Sequence, residues 1–219
     1  TLWGPHGTGK SALGKAVAQF LWQRRFLHDG VAFVELAGLR TEAAALGALG
    51  EALDMEVARW KDVSRALQRW QGLVVLDGVD DLMDAAPQAL SKAIAALMHA
   101  SQLQVIVTAC CPLATAIGGG LNAEHPVHVG PLPPRDAARL LHALVADALH
   151  PHLRGTANLP NLERHPLMRN LAGLPRRILS CAPLVRQGLP LDEITRRTAC
   201  LPRPRDECPT CPGQMDAHL

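Results

Sequence analysis

Residues 4–11 read GPHGTGKS, and no other stretch restricts so tightly what this chain can fold into. Gly4, Gly9, Lys10 and Ser11 fill the spacing G-x-x-x-x-G-K-[ST], with Gly7 as a further glycine inside it. Glycines let successive backbone N–H groups turn into one concavity, which carries partial positive charge and suits a phosphate. At this spacing the Lys10 ammonium would reach the β- and γ-phosphates, and the Ser11 hydroxyl would hold Mg2+. Pro5, His6 and Thr8 complete the loop and join the candidate nucleotide-binding residues, His6 at a surface position. The following segment, SALGKAVAQFLWQRRF, is predicted to be a helix with its positive end toward the phosphates. Leu13, Ala16, Val17, Phe20 and Leu21 recur at helical spacing and are expected to face inward. A glycine-rich turn with a chance lysine is the competing interpretation, and the amphipathic helix behind the loop counts against it.

A loop of this kind follows a buried strand, yet only Thr1, Leu2 and Trp3 precede Gly4 and no initiator methionine is present. The expectation is a fragment whose N-terminal strand is truncated. Further along, VAFVEL (31–36) follows the turn signal His28-Asp29-Gly30 and reads as a strand. Residues 42–53 and 57–70 read as helices, the first with Leu46, Leu49 and Leu53 on one face, the second with Trp60, Val63 and Leu67. LVVLD (73–77) and LQVIVT (103–108) are apolar runs of the kind buried on both faces of a sheet, separated by a helix over 86–100. This alternation predicts an α/β fold: a P-loop NTPase doubly wound parallel sheet followed by a small all-helical domain. Ligands of such sheets sit at the carboxyl ends of the strands, where the loop, Asp77 and Thr108 would converge.

The domains are expected at 1–130 for nucleotide binding, 131–199 for the helices and 200–219 for a disordered tail rich in Pro and polar residues. The helical part opens with PLPPRDAARLLHALVADAL, in which Ala137, Leu140, Leu141, Leu144 and Val145 face inward.

Composition excludes several classes. A formal net charge of +2 is too small to argue for nucleic acid or an acidic membrane surface as partner. No apolar run reaches the roughly 18 residues of a membrane span, and nothing resembles a signal peptide. Six cysteines beside such a loop suggest reduced thiols and a cytoplasmic setting. The pair Cys208 and Cys211, with His218 nearby, lacks the second ligand pair that a structural zinc site needs. The basic C-terminus, with Arg196, Arg197, Arg203 and Arg205, reads as solvation.

The second chemical signal is GLVVLDGVDDL (72–82). Asp77, an acid ending a buried strand beside a phosphate loop, is the candidate for holding the water shell of Mg2+. Many such ATPases place Glu or Asp directly afterwards to polarise the attacking water, but here that residue is Gly78. Asp80 and Asp81 follow. Either could orient water as a catalytic group alongside Lys10, and either could instead cap the next helix at its positive end.

The ordered motifs GPHGTGKS, GVAFVEL, VVLDGVDDL, VIVTACCPL, HVGPLPPRDAARLL and HPLMRNLAGLPRRI make Thr1 to Leu179 resemble the NB-ARC module of STAND signal-transduction ATPases. In that family a Gly-x-Pro motif, here Gly173-Leu174-Pro175, packs near the adenine, so the resemblance adds Pro175 to the cofactor-binding residues. It implies ATP and ADP as ligands with Mg2+, a closed ADP form, and exchange for ATP that opens the protein for self-association. Protein partners would come through flanking domains, with slow hydrolysis at most. The chain departs from the family in carrying Cys110, within Thr108-Ala109-Cys110-Cys111, where an arginine senses the γ-phosphate. Arg176 and Arg177 follow the Gly-x-Pro motif where the family is apolar. No Met-His-Asp motif is recognisable, since Met215-Asp216 has the wrong order.

Three function classes compete. The favoured one is a STAND-type regulatory switch. Another P-loop enzyme, a small-molecule kinase or AAA-type ATPase, is the second, though residues 110–130 offer no kinase lid and Gly78 counts against an AAA machine. The third is a degenerate scaffold acting through protein contacts.

Overall fold

The computed structural model describes residues 1–114, 124–146 and 159–199. The expected tail at 200–219, with its Cys-x-x-C pair, lies outside the described residues. So does part of 110–130. The first part of the chain runs β1 (Leu2–Trp3), α1 (Lys10–Gln23), β2 (Gly30–Glu35), α2 (Glu42–Ala52), α3 (Trp60–Leu67), β3 (Gly72–Asp77), α4 (Asp80–Ala85), α5 (Pro87–Met98), β4 (Gln104–Ala109) and β5 (Val127–His128). The strands form one parallel sheet in the order β2-β3-β4-β1-β5.

The apolar run of β3 explains its central place, for every residue of it is buried. Alternation splits it between two cores. Leu73 and Val75 pack with Ala18 and Leu27 beside α1. Val74 and Leu76 point the other way, into a larger cluster with Leu49 of α2, Val63 and Leu67 of α3, and Leu90 and Leu97 of α5. Helices therefore cover both faces, as the doubly wound pattern requires.

The inward face of α1 differs from expectation. Its buried residues are Lys10, Gly14 and Ala18, whereas Leu13 and Phe20 are 40% and 50% exposed and Ala16 is exposed too. A Cβ placed on Gly14 would lie 3.6 Å from Val75 Cγ1 and 3.8 Å from Thr108 Cγ2. So close an approach to the sheet selects small residues, and the bulkier apolar ones turn outward. Phe20 is covered instead by the Arg24 guanidinium, 4.4 Å from the ring centroid. Two elements carried no periodic signal: α4, only six residues long, and β5, only two.

The chain divides into two compact units, the described residues 1–4, 10–114 and 124–128 in one and 5–9, 129–146 and 159–199 in the other. The second contains α6 (Pro134–Val145), α7 (Leu159–Arg164), α8 (Pro166–Leu171), α9 (Pro175–Arg186) and α10 (Leu191–Thr198). Prolines open α6, α8 and α9, where a missing N–H costs nothing and φ is already helical. Leu141, Leu162, Leu167, Leu171, Ile178 and Ile194 form its core. Leu140 and Leu144 pack at its margin rather than fully inside. Among the described residues no helix is long and apolar enough to cross a membrane, and no three His, Cys, Asp or Glu side chains gather as metal ligands.

Candidate functional site

The phosphate-type loop leaves the sheet from β1, whose neighbours are β4 and β5. Gly4 N–H donates to Ala109 O at 3.3 Å, fixing the start of the loop at the carboxyl end of β4. Thr8 is buried and its hydroxyl donates to Pro5 O at 3.0 Å, closing the turn internally. Gly7 and Gly9 adopt φ of 83° and 98°, which a side chain would resist. Lys10 opens α1 with only 9% of its surface exposed, and its Nζ donates to Gly4 O at 2.7 Å. Ser11 and His6 are exposed, while Pro5, Gly7 and Gly9 are half-buried. Pro175 is the first residue of α9, and Arg177 of that helix donates to Asn170 O at 3.2 Å. Arg176 is exposed, and its backbone N–H donates to Gly7 O at 3.2 Å.

Asp77 ends β3 and is 8% exposed. The parallel register sets Leu76 opposite Val107, so the next residues along, Asp77 and Thr108, are neighbours. The Thr108 hydroxyl donates to Asp77 Oδ1 at 2.6 Å and accepts from Gly78 N–H at 2.8 Å. Val79 N–H donates to Thr108 O at 3.2 Å, and Cys110 N–H donates to Asp80 Oδ1 at 2.6 Å. Four hydrogen bonds thus stitch the carboxyl ends of β3 and β4 together.

The two candidate water-orienting acids both lie in the first turn of α4, and both have partners. Asp80 accepts from Cys110 N–H; Asp81 accepts from Gly38 N–H at 3.0 Å and from the Arg40 guanidinium at 3.0 Å. A third acid on α4, Asp84, is held above the usual carboxylate range, first by desolvation and then by the charges of Asp80 and Asp81. Cys110 and Cys111, both buried thiols, follow the end of β4. Sequence reasoning had no way to see the Asp80–Cys110 bond, which depends on strand register and on a helix too short to announce itself.

Gly78 takes φ +72°, and a Cβ there would lie 3.0 Å from Ala37 Cβ and 3.3 Å from Ala37 Cα. A side chain at the position after Asp77 would therefore be strained by backbone conformation and crowded against Ala37. Gly78→Glu is expected to create no ATPase activity and to cost about 1–3 kcal/mol of stability. Phosphate release and denaturant titration check this; a variant that hydrolyses ATP faster than the wild type would refute it.

A parallel sheet with strand order β2-β3-β4-β1-β5, a glycine-lysine loop after β1 and a carboxylate ending β3 define the class of P-loop nucleotide-binding proteins. The sequence profile of the ATPase family associated with various cellular activities (AAA) matches residues 1–116, more than half of the chain, and the chain belongs to that family. Gly78, which the sequence reading set against an AAA machine, does not exclude membership. No curated protein sequence matches significantly.

Among solved structures the chain is similar to Drosophila ORC bound to DNA, with a TM-score of 0.66 and 16% identity over 90% of this chain and 59% of that one. It is similar also to the Aeropyrum pernix ORC2 protein in its ADPNP-ADP complexes, with a TM-score of 0.64 and 14% identity over 91% and 61%. Cdc6p from Pyrobaculum aerophilum gives a TM-score of 0.62 and 15% identity over 85% and 55%. At such identities these likenesses show the fold, and the chain spans about three fifths of the first two structures.

Proposed function

We propose that this chain is a regulatory nucleotide-binding module that holds ATP or ADP with Mg2+ and turns it over slowly. The observation that carries the reading is the commitment of the two acids that open the helix after β3: Asp80 and Asp81 hold backbone N–H groups, and a side chain at Gly78 would be strained and crowded against Ala37. A protein built for rapid hydrolysis needs a group positioned to take a proton from water. Here the loop from Gly4 to Ser11 would grip the phosphates, with Lys10 supplying charge. The residues fit a hard divalent cation, since the Ser11 hydroxyl and the Asp77 carboxylate are oxygen donors. Mg2+ supplies charge neutralisation to the phosphates when bound.

The finer reading is a STAND-type switch, in which ADP holds a closed form and ATP promotes self-association or partner binding. The order of motifs from the loop to Gly173-Leu174-Pro175 supports it. Other AAA-type ATPases share the sheet and the loop, so a low measured turnover is what would favour a switch over a machine. The formal net charge of +2 gives no support for carrying over the DNA in the Drosophila structure.

Purification without added nucleotide, followed by denaturation and chromatography of what is released, tests the proposal. Near-equimolar ADP is expected, together with steady-state ATP turnover at least about 100-fold below the ~1 s⁻¹ of ordinary slow enzymes. Turnover in the ordinary range would overturn the switch reading. Failure of added ATP and ADP to bind at all would overturn the nucleotide reading.

A further inference from the structure

The sequence places Thr108 among the candidate nucleotide-binding residues, and the structure gives its hydroxyl two partners of its own. It is 1% exposed, and a hydroxyl has a single proton. That proton goes to Asp77 Oδ1 at 2.6 Å, a distance typical of a charge-assisted O–H···O⁻ bond. The hydroxyl oxygen meanwhile accepts Gly78 N–H at 2.8 Å, which fixes the direction in which the proton points. With the proton so used, Thr108 has nothing to donate to a phosphate oxygen. Asp77 in turn has one carboxylate oxygen occupied, and no buried side-chain oxygen among the described residues lacks a partner. Among the described residues no donor is seen to its Oδ2.

We propose that Thr108 is a positioning residue for the divalent cation: it clamps Oδ1 of Asp77, orients the carboxylate plane, and presents Oδ2 to the metal's water shell. This rests on the nucleotide reading above. The clamp belongs to the backbone as much as to the side chain. Gly78, which crowds against Ala37, also supplies the N–H that holds the Thr108 hydroxyl. Groups that orient a metal-binding side chain typically contribute about 10–100-fold to metal affinity.

The test compares ADP affinity, by calorimetry on the full chain, with Mg2+ and in EDTA. Thr108→Val keeps the shape and removes the hydroxyl, and Thr108→Ser keeps the hydroxyl. The valine variant is expected to lose at least about 10-fold of the Mg2+ enhancement seen in the wild type, with affinity in EDTA within about two-fold, and serine is expected to restore it. Thr108→Cys, a weaker donor, serves the same comparison should the valine variant not fold, and is expected to show a reduced enhancement. An enhancement undiminished in both the valine and cysteine variants overturns the proposal. So does an equal loss with and without Mg2+, which would mean direct contact with the nucleotide. Wild-type protein that binds no ADP under either condition overturns the nucleotide reading and this inference with it, whereas wild-type binding with an undiminished variant ratio overturns this inference alone.

Discussion

Lys10→Ala is expected to lower affinity for ATP and ADP by at least about 100-fold, near 2.7 kcal/mol, while the sheet stays folded. The size follows from what the side chain does. Its ammonium opens α1 almost wholly buried and donates to Gly4 O at 2.7 Å, so a full positive charge is held at the mouth of the phosphate loop. Burial raises the strength of any charge–phosphate attraction there above its value in water. Alanine removes that charge and releases the carbonyl it holds, loosening the loop at its first glycine. Arginine would keep the charge but spread it over a planar fork in place of the compact ammonium that donates to Gly4 O, so Lys10→Arg is expected to restore little. Calorimetric titration with each nucleotide measures the effect, with far-UV circular dichroism as the control for folding. Affinity within about three-fold of wild type would remove the loop from the binding site.

That lysine was legible in the sequence because its spacing from Gly4 and Gly9 is a local property, fixed within eight residues. β3 was legible for a different reason: a strand buried on both faces must be apolar throughout, and 72–77 meets that demand up to its terminal acid. What the sequence hid depends on register or on close approach. The apolar stripe of α1 suggested Leu13 and Phe20 as its inner face, but contact with the sheet runs through Gly14 and Ala18, and periodicity reports hydrophobicity rather than the distance between a helix and a sheet. The two acids after Gly78 could be placed at the start of a helix, yet their partners, Cys110 N–H and Gly38 N–H, come from loops 30 and 43 residues away. Thr108 and Asp77 could be assigned to one end of the sheet. That one holds the other's proton-accepting oxygen depends on the pairing of β3 with β4, which no local pattern encodes.

Gly173→Ala is expected to destabilise the helical unit by about 3 kcal/mol or more. Gly173 follows α8 with φ +66°, just after Ala172, itself left-handed at φ +51°. A Cβ on Gly173 would lie 2.2 Å from Leu132 O and 3.1 Å from Leu132 N, far inside any allowed contact. Neither neighbour is the far end of a flexible side chain. Leu132 N–H donates to Gly173 O at 2.8 Å, so the two backbones are paired at that point, and relief of the clash must break the pair. Strain at a left-handed alanine costs about 1 kcal/mol or more and loss of the hydrogen bond about 1 kcal/mol. Displacing the chain before α6 disturbs the packing of Ala137 and Leu141 as well. Denaturant titration followed by far-UV circular dichroism is the right measurement, since all four tryptophans, Trp3, Trp22, Trp60 and Trp70, belong to the other unit. A midpoint unchanged from wild type would mean that the turn between α8 and α9 can rebuild itself. A large loss would give the first residue of Gly-Leu-Pro a purely structural reason to be glycine, and any contact of that motif with a nucleotide would then have to be sought at Pro175, where Pro175→Ala leaves the Leu132 pairing intact.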